Sequence, residues 1–183
     1  INHIHIYSAA WEGFKREAKT LGQLRAVEAA KPLVRLFDNL EHVAWLSTDL
    51  REVFSLIGPA SIPAIAEFIG DNEVDEICRI AAPACLEQIA RDHPEHRAEC
   101  IGTLNRQLAF YETNGLTLNA FLIESLADLR ATETIDVIRK AFFADCVDLV
   151  VLGDFEDVEI IMGLRVGRDT ARPDVQLILG LPN

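Results

Sequence analysis

Apolar residues recur at helical spacing along almost all of the 183-residue chain. Residues three or four positions apart share one face of a helix, so this pattern predicts amphipathic α-helices. The predicted helices cover residues 9–21, 27–37, 48–57, 59–69, 74–90, 94–111, 118–129 and 134–143, with a last helix after Gly153. The gaps between them are short, as expected for antiparallel neighbours. The predicted fold class is all-α, and only Val175–Leu179 has a pattern that also fits a strand.

Proline and glycine mark several of the predicted helix ends. Gly58-Pro59 ends one helix, because proline lacks the N–H donor and disfavours a helical residue before it. Pro59 can then open the next helix, where the missing donor costs little. Pro83 lies inside the predicted helix 74–90 and is expected to kink or interrupt it. Asn114-Gly115 is expected to break the chain between two further helices.

Two segments of the chain resemble one another at a spacing that indicates a repeat. Leu21, Leu24, Arg25, Ala26 and Glu28 recur as Leu126, Leu129, Arg130, Ala131 and Glu133, an offset of 105 positions. This offset is three times about 35 residues, a typical length for a unit of two helices. Because two short amphipathic helices cannot bury their apolar stripe alone, the pattern predicts that successive pairs stack on one another. Arg25 and Arg130, at equivalent places, are expected to act in packing between units.

The segments LGQLRAVEAAKPLVRLF and LIGPASIPAIAEFI resemble HEAT-like repeats of the type first grouped with phycobilisome bilin lyases. The resemblance covers roughly Leu21 to Leu164, and residues 147–164 resemble the end of such arrays in bacterial proteins of unknown function. It implies an α-α superhelix, a HEAT/armadillo-like solenoid of about four to five helix pairs. Residues 1–164 would form a single repeat domain, and residues 165–183 a tail packed on the end of the stack or on a partner.

Composition and charge narrow the classes of function. Half of the residues are hydrophobic, so a substantial core can form. The net charge of −12 repels phosphate backbones and argues against nucleic-acid binding. No apolar run approaches the roughly 20 residues of a membrane-spanning helix, so no membrane segment is predicted. The four cysteines form no CxxC pair and are expected to be reduced and buried, which favours a cytoplasmic location.

Two groups of residues are candidate metal ligands. His93, His96 and Cys100 lie at i, i+3 and i+7, a spacing at which imidazole and thiolate can bind Zn²⁺, although Cys100 adjoins an apolar stripe that favours a core position. The acidic residues of the second group could offer oxygen ligands to a hard cation. Its members are Asp145, Asp148, Asp154, Glu156, Asp157 and Glu159. The spacing of Asp154 and Asp157 fits a helix N-cap with a capping box better, so no metal and no cofactor are predicted.

The predicted function is a non-catalytic protein-interaction or scaffold module, which binds a protein partner along the concave face of the stack, the face lined by the second helix of each pair. The candidate lining residues are Arg51, Glu52, Asp75, Glu76, Arg79 and Asn119. The sequence contains no catalytic motif, so it favours a non-enzymatic protein without deciding the question. A homodimer through the last helix or the C-terminal tail is a further expectation.

The alternative follows from the resemblance: a bilin lyase or isomerase-like protein, or a chaperone subunit, that binds a tetrapyrrole. Arginine residues would then clamp the propionate groups of the chromophore. Arg25, Arg79 and Arg130 are the candidates for that role.

Overall fold

The structure, a computed structural model, describes residues 2–38 and 43–173, with side chains described for residues 13–37 and 48–173. Every regular element within these ranges is a helix, so the all-α prediction is confirmed for this part of the chain. The strand considered at Val175–Leu179 lies outside the described residues. Within them, no single helix has the length and hydropathy of a membrane span; Thr48–Ile57 and Pro59–Ile69 reach both only together, and they are bent by 110°.

The α-helices are numbered here in chain order. They are α1 (Asn2–Gln23), α2 (Ala30–Val34), α3 (Val43–Ile57), α4 (Ile62–Ile69), α5 (Glu76–Arg79), α6 (Pro83–Asp92), α7 (Arg97–Leu108), α8 (Leu116–Asp128), α9 (Ile135–Phe143), α10 (Leu149–Leu152) and α11 (Phe155–Ile161). Short 3-10 turns precede several of them, at Val27–Ala29, Pro59–Ser61, Pro94–His96 and Thr132–Thr134, and a further one, Arg35–Asp38, follows α2.

The prolines interrupt the helices where the sequence predicts. The helix expected at 74–90 is divided into α5 and α6, and Pro83 is the first residue of α6, where its missing N–H leaves no helical hydrogen bond unmade. Gly58 ends α3 with φ 87°, and Pro59 opens the following 3-10 turn. The helix expected at 27–37 is instead a series of short 3-10 and α segments.

The helices pack in two layers. In one layer α1 contacts α3, α3 contacts α6 and α6 contacts α8; in the other, α2 contacts α4, α4 contacts α7 and α7 contacts α9. Large apolar side chains fill the space between the layers and are fully buried. They include Phe37, Leu50, Phe54, Ile65, Phe68, Leu86, Ile89, Leu104 and Leu122. The predicted inward faces therefore form one core, in which the Phe37 and Phe68 rings lie 6.1 Å apart.

Ion pairs between helices connect positions 33 to 37 residues apart along residues 15–133: Lys15–Asp49, Lys19–Glu52 and Arg91–Asp128 have offsets of 34, 33 and 37, and four others share one offset. Four pairs join residues 36 positions apart: Lys31–Glu67 (2.6 Å), Arg35–Asp71 (2.7 Å), Arg51–Glu87 (3.6 Å) and Arg97–Glu133 (3.6 Å). Glu87 is buried, but the other pairs join exposed or half-exposed side chains, and surface pairs of that kind contribute about 0–1 kcal/mol each, so they do not hold the fold together. They indicate instead a regular register, because each of the four joins two segments that lie 36 positions apart.

Three helices end in the same backbone motif. In each, the second residue after the helix has a left-handed φ: 51° at Arg25, 49° at Arg130 and 55° at Asp145. The amide of the next residue donates to the carbonyl five positions back, at Leu21, Leu126 and Ala141, as in a Schellman cap. The role expected for Arg25 and Arg130 in packing between units is thus corrected, since both side chains are exposed and their backbones end the helices.

Replacing Arg130 with glycine is expected to raise the free energy of unfolding by about 0.5–1 kcal/mol. A left-handed conformation costs an L-residue about 1–2 kcal/mol, which glycine would relieve. The greater conformational freedom of glycine in the unfolded chain offsets only part of this stabilisation. Arg130→Ala, which keeps the left-handed strain, is the control. Urea unfolding measures both variants, and equal stabilities would show that φ at residue 130 carries no strain.

Candidate functional site: an aromatic cleft beside helices α9 and α11

The six residues predicted to line a binding face have separate structural roles. Glu52, on α3, receives Lys19 of α1 at 2.6 Å, and Arg51 on the same helix reaches Glu87 of α6. Asp75 caps α5 by accepting the amide of Ile77 at 2.9 Å. Arg51 and Glu52 therefore lie on α3, in the layer formed by α1, α3, α6 and α8. The binding face was predicted on the second helix of each pair, which belongs to the other layer.

Arg79 and Asn119 are buried, which corrects their assignment to an open surface. Arg79 donates to the carbonyl of Ile69, the last residue of α4, at 3.1 Å, and to Asn72 Oδ1 at 3.3 Å. A guanidinium at this place satisfies a carbonyl that the helix leaves without a partner. It is thereby removed from contact with a ligand, so Arg79 is not available to clamp a chromophore carboxylate.

Glu76 reaches across the fold to the start of another helix. Its Oε1 accepts the amide of Leu118 at 2.7 Å, so a carboxylate from α5 caps the N-terminus of α8. Gly115 makes this contact possible, because a Cβ at that position would overlap the Glu76 carboxylate. Gly115 was expected only to separate two helices. It also provides the space in which Glu76, which is distant in the sequence, caps α8.

The histidines and the cysteine considered as zinc ligands point to different partners. His93 Nε2 lies 2.8 Å from the carbonyl oxygen of Ser55, and His96 Nδ1 lies 3.0 Å from Glu99. Cys100 is fully buried, and burial raises the pKa of its thiol to about 11. Among the residues that the structure describes, no three His, Cys, Asp or Glu side chains are grouped closely enough to hold a metal ion.

The acidic group around α11 is a cap and a set of arginine partners. Asp154 and Asp157 form the predicted capping box, each accepting the backbone amide of the other at 3.2 Å. Arg168 donates to both carboxylates, at 2.9 Å to Asp154 and 2.8 Å to Asp157. Arg172 adds a further hydrogen bond to Asp157. The residues that follow α11 are held against it by these contacts.

Acid is expected to weaken these contacts. The hydrogen bond from Arg168 holds the pKa of Asp154 below its ordinary value of 3.8. Burial acts to raise the pKa of Asp157, but Arg172 and Arg168 more than offset it. Stability from lowered carboxyl pKa values is present above the unfolded-state pKa and is lost as the pH falls through the folded-state values. In Arg168→Met both carboxyl titrations, followed by ¹³C NMR, should move up toward 3.8; unchanged midpoints would contradict the assignment.

An aromatic cleft of about 490 Å³ opens beside α9 and α11. Phe142 and Phe143 at the end of α9 line it together with Phe155 at the start of α11. The Phe142 and Phe155 rings meet edge to face at 5.7 Å, and both are half-buried. Phe143, in contrast, is 81% exposed. The cleft thus has a packed aromatic wall and a free phenyl group at its edge, the combination by which surfaces anchor a partner side chain.

The charged side chains that line the cleft differ in whether they have a partner. The Arg139 guanidinium lies 5.5 Å over the Phe155 ring and donates to Asp136 at 2.8 Å. Asp154 is engaged by Arg168. Asp145 lines the same cleft, is exposed, and has no ion-pair partner among the described residues. The uncompensated charge in this cleft is therefore negative.

Sequence reasoning missed this cleft, although a signal for it was present. Phe142 and Phe143 are adjacent in a helix, so their side chains point about 100° apart and a single apolar face cannot take both. Phe142 lies 105 positions after the buried Phe37, the same offset as in the repeated segments, so the pattern directs Phe142 inward and leaves Phe143 directed outward. The position of Phe155 opposite them depends on how α11 packs against α9, and the local sequence does not determine this packing.

Comparisons of the chain with models of protein families, with curated proteins and with solved structures gave no match.

Proposed function

We propose that this protein is a HEAT-like helical solenoid that serves as a non-catalytic interaction module for another protein. The single observation that carries the proposal is the recurring offset of 33 to 37 positions between ion-paired residues of different helices, which is 36 in four of the pairs. An offset that recurs so closely supports one spatial relation repeated between successive helix pairs. Repetition of that kind produces an extended surface, which is how repeat arrays bind polypeptides.

The charge of the chain supports a protein rather than a nucleic acid as the partner. A net charge of −12 creates a negative field that attracts basic surfaces and speeds their encounter. Several carboxylates with shifted pKa values, such as Asp71, Asp92 and Asp154, make hydrogen bonds that hold helices and turns in place. These hydrogen bonds explain why the pKa values are shifted, so the shifts do not point to a catalytic reaction, and none is proposed. A cytoplasmic location is part of the same proposal.

Affinity capture from the source cells tests the function. The immobilised full chain is incubated with lysate at about 50 and 150 mM salt, chemically cross-linked, and analysed by mass spectrometry and absorbance. An unrelated acidic protein of similar net charge is the matched control. We expect a small set of proteins that saturate the bait, survive the higher salt and are absent from the control. Retention of a coloured small molecule alone, or of the same proteins on both baits, would contradict an interaction module.

A further inference from the structure

The Asp145 cap breaks a pattern that the other two caps follow. The carbonyls at the end of a helix carry a partial negative charge, so a basic residue there is favourable and an acidic one is not. Arg25 and Arg130 satisfy this rule at the ends of α1 and α8. Asp145 has the same left-handed backbone at the end of α9 but the opposite charge. Locally unfavourable choices of this kind concentrate at functional sites.

The negative charge at Asp145 lies at the edge of the cleft. Lys140 in the last turn of α9 and the cap amides offset the charge of the helix end itself, but Lys140 does not line the cleft, so the unpaired Asp145 carboxylate is the group there that attracts a cation. Asp148, five positions after the exposed Phe143, caps α10 through the amide of Val150 at 3.0 Å and also has no cationic partner among the described side chains. A cation is thus favoured at the edge of an aromatic cleft, within reach of a side chain that enters the cleft.

We propose that the aromatic cleft binds a segment of a partner polypeptide in which a large apolar side chain is adjacent to a lysine or arginine. The apolar side chain enters between Phe143 and the Phe142–Phe155 wall, and the basic group pairs with Asp145. Arg139 does not oppose this cation, because Asp136 already neutralises it at 2.8 Å. The inference rests on the proposed function, since it names the chemistry of the partner and the place where it binds.

Short peptides of defined sequence test the proposal on the full chain. Fluorescein-labelled hexapeptides carry phenylalanine, leucine or alanine at one position and arginine, glutamine or glutamate at the next, in an otherwise Gly/Ser sequence. Fluorescence anisotropy measures their affinity at about 50 and 200 mM salt. We expect the Phe-Arg and Leu-Arg peptides to bind at least about ten-fold more tightly than the alanine or glutamate versions. Their affinity should fall with salt, because the contact with Asp145 is exposed to solvent.

Two pairs of variants separate the cleft from general surface effects. Phe143→Ala should weaken the Phe-Arg peptide about ten-fold, whereas Phe110→Ala, which removes another exposed phenyl group, should leave it unchanged. Asp145→Asn should remove the preference for arginine over glutamine, whereas Glu112→Gln, a neutralised carboxylate elsewhere on the surface, should not. All four sites are exposed, so the variants are expected to fold. Equal effects within either pair would overturn the proposal.

A photoreactive group identifies what occupies the cleft. With p-benzoylphenylalanine in place of Phe143, irradiation of the full chain with the Phe-Arg peptide should give a peptide adduct. A cross-link between two copies, or one to residues 174–183 of the same chain, would assign the cleft to that occupant and overturn the inference. If the captured partner cross-links only to other surfaces and no peptide binds, the inference fails while the proposed function stands. If peptides bind but no protein is captured, the proposed function fails instead.

Discussion

Replacing Asn119 with alanine is expected to lower the free energy of unfolding by about 3–5 kcal/mol. The Asn119 side chain is 0% exposed and joins three parts of the fold. Its Nδ2 donates to the carbonyls of Tyr111 at 2.9 Å and Cys146 at 2.7 Å. Its Oδ1 accepts from Asn114 Nδ2 at 2.9 Å. The alanine variant removes the partner of two half-buried carbonyls and of one Asn114 N–H, whose other N–H still donates to the Gln107 carbonyl at 2.9 Å; a buried polar group left without a partner costs about 1–3 kcal/mol.

The same substitution at Asn105 is the matched control. Asn105 lies in α7 and its Oδ1 is buried without a hydrogen-bond partner. Asn105→Ala removes an acceptor that is already unsatisfied and introduces a better helix former, so stability should change by no more than about 0.5 kcal/mol or should rise. Chemical denaturation at neutral pH compares the two. Similar losses in both variants would show that the Asn119 network contributes little beyond the volume of one side chain.

Gly153→Ala is expected to lower the free energy of unfolding by about 2–5 kcal/mol, the second large effect. Gly153 has φ 80° and ψ −160°, a region that only glycine enters easily and that costs other residues about 1–3 kcal/mol. A Cβ at this position would also overlap the Asp157 carboxylate. That carboxylate completes the capping box of α11 and receives Arg172, so moving it weakens a cap that contributes about 0.5–2 kcal/mol.

Gly58 separates the two parts of this effect. It ends α3 with nearly the same backbone, φ 87° and ψ −161°, but a Cβ there would meet the His93 ring at an ordinary 3.5 Å. Gly58→Ala should therefore cost only the strain, about 1–3 kcal/mol. Gly13→Ala, in an open stretch of α1, should instead raise stability by about 0.5–1 kcal/mol. If thermal unfolding gives the same loss for Gly58→Ala and Gly153→Ala, the overlap with Asp157 has no energetic consequence.

Some features of the candidate site follow from neighbouring residues in the sequence, whereas others depend on residues that are distant in the sequence. The capping box of Asp154 and Asp157 was predictable, because both partners lie within one turn of a helix. The outward direction of Phe143 was implied by its neighbour Phe142. The cleft itself was not predictable, because it needs Phe155 opposite α9. The electrostatic character of Asp145 likewise depends on which other charges are already paired.

The sequence by itself determined the helical class of the described chain, the inward faces of its helices and the breaks at Gly58-Pro59 and Pro83. These features follow from interactions within one or two turns, where side-chain spacing and proline geometry decide the outcome. Only the tertiary structure decided that Arg79 and Asn119 are buried, that Glu76 caps α8 and that ion pairs recur at 36 positions. Each of these joins residues from separate helices or loops, and burial of a polar side chain is favourable only when such a partner meets it.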